Sequence, residues 1–156
     1  MVQFKLIRRS KMKIPGYKFL EHTADVSVES QGRNLEEAFE QTAYSLMETI
    51  TPSLKSIPIE IERIINIEAE DKEALLFDFL SEFLYIFDVD ELIFNKIKIH
   101  SIKKDQDKYY LKASVKGGKF NKNIHEPGTE VKAITYSFMT IEEKKKTVKI
   151  NIVFDI

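Results

Sequence analysis

The chain contains no cysteine and no tryptophan among its 156 residues. The lack of cysteine excludes disulfides, cysteine nucleophiles and thiolate metal sites, and with them the soft-metal chemistry that depends on such ligands. Neither sign of charge is in clear excess, because 24 Lys and Arg stand against 25 Asp and Glu. A dedicated nucleic-acid-binding protein usually carries a basic excess, so this balance argues against that class.

The sequence also has no long hydrophobic run. Its most apolar segment, Ala74–Phe87, is interrupted by Asp78, Ser81 and Glu82, and is too short and too polar to span a bilayer. The basic start of the chain is not followed by an apolar stretch typical of a signal peptide. We therefore expect a cytoplasmic protein with no membrane partner.

The length is that of one ordinary domain. Residues 1–15 are predicted to form a basic N-terminal arm, and Met12 is an alternative start for the protein. Residues 16–156 are predicted to form a single compact domain.

Two helices are predicted from apolar residues that recur at helical spacing. The first covers Asn34–Thr51, where Asn34 and Glu37 form a start that resembles a capping box. The second begins after Asp71 and ends near Phe87. The acidic residues that follow it, Asp88, Asp90 and Glu91, are expected to lie in a solvated loop.

Alternating apolar and polar residues predict the strands. They comprise two short runs within residues 17–31, then Ile59–Ala69, Leu92–Lys103, Tyr109–Gly117, a stretch from about Val131, and Val148–Phe154. Gly117–Gly118 is expected to end the strand that begins at Tyr109. The elements together predict an α+β fold, with two helices packed on a mixed, mostly antiparallel β-sheet.

The first polar segment of interest is Glu21–Asp25, which places two carboxylates, an imidazole and a hydroxyl between two apolar runs. Such a dense cluster at a strand junction is unusual and makes the segment a candidate binding site. The alternative is an ordinary turn, in which Asp25 accepts backbone hydrogen bonds.

The second is the end of the chain. Asp155 lies on the polar face of the last strand, and Ile156 adds a terminal carboxylate beside it. Adjacent carboxylates repel each other, and a divalent cation would relieve that repulsion. Oxygen ligands of this kind suit Ca²⁺, Mg²⁺ or Mn²⁺. The alternative is a frayed terminus with no function.

The third is the polar loop from His125 that runs into a strand near Tyr136. Loops on a rigid scaffold often carry function, and His125 and Glu126 with Lys132 are suited to position a phosphate or a partner's carboxylate. The alternative is a Pro-Gly turn followed by a plain strand.

In this order the three segments resemble the archease family. The family pattern includes H-T-A-D at residues 22–25, A-L-L-x-x-F-L at Ala74–Leu80, H-E-P at residues 125–127 running into V-K-A-x-T-Y, and an acidic chain end. The resemblance covers about Gly16 to Ile156. It implies a non-enzymatic activator of the RtcB-type RNA ligase, which joins RNA ends in tRNA splicing with GTP and Mn²⁺ through a guanylylated histidine. Archeases speed the guanylylation and allow multiple turnover.

The resemblance also implies a site. Its metal ligands would be Asp25, Asp155 and the terminal carboxylate of Ile156, binding Ca²⁺ foremost, with Mg²⁺ and Mn²⁺ as alternatives. Lys132 matches a position that the family implicates in activity. If the first and last strands are neighbours, Asp25 and Asp155 converge at one edge of the sheet, and the metal staples the two chain ends there.

Further residues are expected to contact the partner, namely His22, His125 and Glu126. The expected partners are the ligase and, indirectly, tRNA exon halves. No small-molecule substrate and no catalytic residue of its own are expected.

Two other classes of function remain open. A metal-dependent phosphohydrolase or nuclease would use Asp25, Asp155, His22 and His125, but two-metal sites normally need more carboxylates. An RNA-binding α+β module is disfavoured by the acidic domain and by the lack of an aromatic stripe on a strand.

Overall fold

A computed structural model of the chain describes residues 13–20 and 25–156. The elements are β1 (Gly16–Leu20), β2 (Val26–Gly32), α1 (Leu35–Ile50), a 3₁₀ turn (Leu54–Ser56), β3 (Ile61–Ala69), α2 (Lys72–Asp90), β4 (Leu92–Asp105), β5 (Lys108–Lys119), β6 (Ala133–Glu143) and β7 (Val148–Asp155).

The described strands form two sheets, one in the order β1-β2-β7-β6 and one in the order β3-β5-β4. Every pairing between these strands is antiparallel. The predicted α+β class with two helices is confirmed. The division of the strands between two sheets does not follow from the alternation within single strands, because that alternation says nothing about which strands pair.

The first helix starts where its capping residues predict. The side-chain oxygen of Asn34 accepts a hydrogen bond from the N–H of Glu37 at 2.8 Å, and the Glu37 carboxylate accepts one from the N–H of Arg33 at 2.9 Å. These bonds satisfy donors that the first turn leaves without helical partners. The helix ends at Ile50, before Pro52.

The second helix also starts at its predicted cap, since Asp71 accepts from the N–H of Ala74 at 2.7 Å. It continues to Asp90, so the prediction of a solvated loop at Asp88 and Asp90 is wrong. An ion pair of 3.2 Å between Asp90 and Arg63 of β3 ties the last turn to the sheet. Glu91 then ends the helix in the left-handed conformation, with φ 56°.

A chain of aromatic rings joins the two helices to the second sheet. Phe39 of α1 stacks on Phe79 of α2 at 6.3 Å, Phe79 meets Phe83 edge-on at 5.0 Å, and Phe83 meets Phe94 of β4 at 6.0 Å. All four side chains are fully buried. Edge-to-face and offset contacts of this kind add to the free energy of burial. These rings therefore connect α1 and α2 to the sheet that contains β4 within one core.

The prediction that Gly117–Gly118 ends a strand is wrong, because β5 continues through both glycines to Lys119. A Cβ atom on Gly117 would lie 1.9 Å from the carbonyl oxygen of Ile93, and one on Gly118 would lie 2.4 Å from that of Pro58. The glycines here allow close approach of neighbouring backbone.

The outer edge of β4 is closed by side chains of α1. The N–H of Ile97 donates to the Tyr44 hydroxyl at 2.8 Å, and that hydroxyl lies 3.4 Å from the Ile97 carbonyl oxygen, to which it donates. The N–H of Ile99 donates to the Glu40 carboxylate at 2.7 Å. These side chains take the place of a further strand, as an edge strand requires.

Candidate metal and partner-binding site

The pairing of β2 with β7 brings two predicted ligands together. Val26 lies opposite Phe154, and Ser27 lies opposite Val153. Continued by one residue in the antiparallel sense, this register sets Asp25 opposite Asp155. The first strand, β1, pairs with β2, so the neighbour of the last strand on this side is the second strand and not the first. Both aspartates are half-buried.

The strand β6 adds Lys132 to the same end of the sheet. Ala133 lies opposite Asp155, and the main-chain N–H of Lys132 donates to the main-chain oxygen of Asp155 at 2.7 Å. Lys132 is exposed, while the side chain of Ile156 packs at the margin of the core. The start of β2, the start of β6 and the end of β7 thus lie side by side at one end of the sheet.

The donors at this place are oxygen atoms. Among the described residues no group of three or more His, Asp or Glu side chains is close enough to hold a metal ion. A complete metal site here would therefore need donors besides the two aspartate side chains. His22, with the rest of residues 21–24, lies outside the described residues.

The structure places His125 and Glu126 in a loop tied to the end of α1. His125 is buried, with 5% of its surface exposed, and its Nδ1 accepts from the N–H of Asn121 at 2.9 Å. The N–H of Glu126 donates to the Ser53 hydroxyl at 2.9 Å, and its carbonyl oxygen accepts from the Thr51 hydroxyl at 2.7 Å. These bonds give both residues a role in holding the loop, and their part in partner binding stays a prediction.

A bulge in β6 presents two aromatic side chains, Tyr136 at the end of the V-K-A-x-T-Y motif and Phe138, which the sequence did not single out. The register with β7 breaks between Thr135 and Thr140. Phe138 has φ 61° and is 77% exposed, while Tyr136 is 53% exposed and stacks on Phe77 of α2 at 4.3 Å. A bulky residue in the left-handed region carries a cost of about 1–2 kcal/mol. An exposed aromatic residue held in this conformation indicates a functional surface.

Carboxylates in α2 and at its N-cap act on the charge of the Tyr136 hydroxyl. Partial burial, and then the negative charges of Asp78 and Asp71, raise the pKa of Tyr136. Nearby, Lys72 of α2 pairs with Glu143 of β6, and this bond raises the pKa of Lys72. The tyrosine hydroxyl is therefore neutral in a negative local potential at ordinary pH.

Within residues 13–20 and 25–156, no helix is both long and apolar enough to cross a membrane.

Known proteins are similar to this chain in sequence and in fold. The sequence model of the archease protein family matches residues 17–156 of this chain. The archease of Methanosarcina mazei is 37% identical over 140 residues, which cover 90% of this chain and 95% of that protein. The archease of Pyrococcus furiosus is 44% identical over 122 residues, which cover 78% of this chain and 84% of that protein.

Solved structures agree. The solution structure of a Methanobacterium thermoautotrophicum protein has a TM-score of 0.79 and 31% identity, and the match covers 92% of this chain and 100% of that one. The crystal structure of a Thermotoga maritima archease, described as a possible chaperone, has a TM-score of 0.56 over 95% of this chain and 100% of that one. At 23% identity it shows a likeness of fold.

The fold and the convergence of its strand ends define a two-helix, two-sheet α+β domain with a polar end on its larger sheet. With a match over nearly its whole length, the chain belongs to the archease family.

Proposed function

We propose that this protein is a non-catalytic, metal-binding activator of an RtcB-type RNA ligase in the cytoplasm. It promotes guanylylation of the ligase and allows multiple turnover in tRNA splicing. Through the metal site, its action on tRNA exon halves is indirect and passes through the ligase.

The observation that carries the proposal is the register of β2 with β7, which sets Asp25 opposite Asp155. These residues stand at the positions for which the family resemblance implies metal ligands. The two carboxylates come from residues 130 positions apart, so only the folded chain brings them together. Membership of the archease family supports the same assignment.

The donor set fits a hard divalent cation. Asp25, Asp155 and the terminal carboxylate of Ile156 offer only oxygen atoms, which suits Ca²⁺ foremost and also Mg²⁺ or Mn²⁺. Such cations take six or more ligands, so positions remain for water or for a group of the partner. The bound ion would supply positive charge between carboxylates that otherwise repel each other.

The surface that meets the ligase would extend from the metal site along β6. Lys132 adjoins Asp155 through the backbone, and the bulge with Tyr136 and Phe138 begins four residues later. Tyrosine is among the residues enriched in binding hot spots, and Lys132 adds a cationic group near Tyr136 on the same surface. We assign Lys132, His22, His125 and Glu126 to activation, with the Phe138 bulge as an added contact.

The test is single-turnover guanylylation of the ligase, followed with and without this protein. The wild-type chain is expected to raise the rate while remaining unchanged itself. Asp25→Asn and Asp155→Asn are expected to lose metal affinity and activation together, by about tenfold or more.

The matched control is Asp105→Asn, which removes one exposed carboxylate from the β4–β5 turn on the other sheet. It should activate as the wild type does. Cleavage of RNA or of a nucleotide by the protein alone, abolished in Asp25→Ala, would overturn the proposal in favour of a metal-dependent hydrolase.

A further inference from the structure

The outward face of the three-stranded sheet gathers lysines from two neighbouring strands. On β4 and β5 the buried residues alternate with exposed ones, and the strand register aligns the two sets. The lysines that share this face are Lys96, Lys98, Lys103, Lys112 and Lys116. We call this set the basic sheet face. In the described part of the chain, both helices pack on the opposite face or on the β4 edge.

These lysines lack close ionic partners. Among the described residues, no carboxylate lies within 4.0 Å of any of their ammonium groups. For comparison, the Lys18–Glu29 ion pair is 4.0 Å long. Arg33 lowers the pKa of Glu37 and burial raises that of Glu40, and the charge of Lys98 acts on both carboxyl groups of α1 only as a smaller, lowering effect. Glu62 of β3 lies opposite Lys116. The face as a whole keeps a positive potential that attracts polyanions.

One pair of lysines is arranged at a cost to stability. Lys96 of β4 lies directly opposite Lys116 of β5 in the register. Like charges directly opposite in an antiparallel pair repel each other and destabilise the sheet. An anion bound between the two strands would remove that repulsion.

The same face carries an aromatic ring beside a shallow cavity. Tyr110 is 40% exposed and borders a depression of about 250 Å³. Asn66, Ser101 and Lys112 also line it, and they offer hydrogen-bond donors and acceptors next to the ring. An aromatic platform among lysines is the arrangement that binds single-stranded nucleic acid, with bases stacked on the ring and phosphates on the basic groups.

The spacing of the lysines suits an extended strand of phosphates. Alternate residues on one strand are about 6.7 Å apart, and neighbouring strands are about 4.8 Å apart. An acidic protein segment would pair with the lysines, but its carboxylates would not account for the exposed Tyr110 ring and the cavity beside it. The formal charge of −1 for the whole chain conceals this face. Two carboxylates of β3 lie on the same side of the sheet: Glu62 is opposite Lys116, and Glu68, which also lines the cavity, is paired with Lys108.

We propose that the basic sheet face binds a single-stranded segment of RNA, with phosphates on Lys96, Lys112 and Lys116 and a base stacked on Tyr110. The binding of phosphate and base rests on this surface alone. The choice of RNA over DNA rests on the proposed function. The face lies on the sheet that does not carry Asp25 and Asp155, so RNA and ligase would bind at different places.

The test is fluorescence anisotropy of a labelled single-stranded RNA of about 12 nucleotides, a length within the range bound by single folds of this size. The full chain is titrated between about 50 and 200 mM salt. Three phosphate contacts predict a slope of log K against log salt of about −2. DNA of the same sequence is the second arm, and a weaker affinity for it supports RNA.

The informative variant is Lys96→Gln combined with Lys116→Gln. It is expected to flatten the salt slope by about 1.4, as the loss of two phosphate contacts requires. Its thermal stability should stay equal or rise, because the like-charge pair is gone. Tyr110→Ala is expected to weaken binding by about fivefold or more, the loss expected for one stacked base.

The matched control is Lys145→Gln combined with Lys146→Gln, which removes the same charge from the exposed β6–β7 turn. Equal weakening by both double variants would reduce the effect to net charge and overturn the proposal. Binding that depends on residues 1–12 and not on Lys96 and Lys116 would also overturn it, as would equal affinity for an acidic peptide. Normal ligase guanylylation by the Lys96/Lys116 variant would leave the proposed function standing whatever the RNA result.

Discussion

The main-chain N–H of Lys132 donates a hydrogen bond to the main-chain oxygen of Asp155, with the two atoms 2.7 Å apart. The contact is made by backbone alone, so it survives any replacement of the lysine side chain other than by proline. The side chain of Lys132 is exposed and free to act on a partner. Backbone position and side-chain function are therefore separable at this residue.

Lys132→Ala is the change that uses this separation. We expect activation of the ligase to fall by about tenfold, the value of one charge-assisted hydrogen bond, because the ammonium group is lost. Metal affinity, measured by calorimetry with Ca²⁺, should stay near that of the wild type. An equal loss of metal affinity and activation would mean that Lys132 supports the fold of the site. Lys149→Ala, on β7 of the same sheet, serves as the control.

A short Gly-Ser extension after Ile156 tests the terminal carboxylate. The extension moves that carboxylate away from Asp155 and changes no side chain. We expect metal affinity to weaken by about tenfold or more, as for loss of an oriented ligand. The same extension placed at the other end of the chain is the control. Unchanged calcium affinity with the tail present would remove Ile156 from the ligand set.

Phe138→Gly separates stability from function in the β6 bulge. Glycine adopts a φ of 61° without steric cost, while it loses more entropy on folding than phenylalanine does. The net expectation is a gain of about 0.5 kcal/mol in the free energy of unfolding, measured by urea denaturation. Activation of the ligase should fall, since the exposed ring is lost. A variant that is less stable and fully active would refute both statements.

The stability of the protein should depend on pH through Glu40. Burial, the largest effect, raises the pKa of Glu40, and the N–H of Ile99 and the charge of Lys98 partly offset it. A carboxyl group with a raised pKa in the folded state stabilises the fold fully below its unfolded value, which is near 4.5. That contribution is lost as the pH rises through the folded value.

Glu40→Gln removes this titration and keeps an oxygen for the N–H of Ile99. Relative to the wild type, the variant should gain stability as the pH rises from about 4.5 towards 7, because it no longer buries a charge. Urea denaturation across this range provides the measurement. The control is Glu36→Gln on the same helix, and a parallel trend in that variant would assign the effect to helix charge in general.

Local signals explain the parts of the fold that the sequence predicted well. Asn34 and Asp71 accept hydrogen bonds from residues three positions later, so both helix starts depend on a few neighbouring residues. The last turn of α2 instead makes an ion pair with the distant Arg63, a contact that the local pattern does not contain, and the end of this helix was predicted too early. Gly117 likewise serves a contact with β4, which the local pattern could not indicate.

The candidate site divides in the same way. The meeting of Asp25 with Asp155 could be predicted, because polar strand ends converge once their strands are paired. The aromatic bulge at Tyr136 and Phe138 could not, since it arises from a break in register with β7. The alternation from Lys96 to His100 indicates only one strand, and the basic sheet face forms because β5 lies beside it and adds its own lysines.

The closure of the β4 edge by Tyr44 and Glu40 links the motion of a helix to that of a sheet. The amide hydrogens of Ile97 and Ile99 point away from β5, yet they are bonded to α1. They should exchange with deuterium only when α1 separates from the strand, at rates shared by both elements. While α1 stays in place, a second molecule cannot add a strand at this edge, so opening of the helix is also the event that would start self-association through β-pairing.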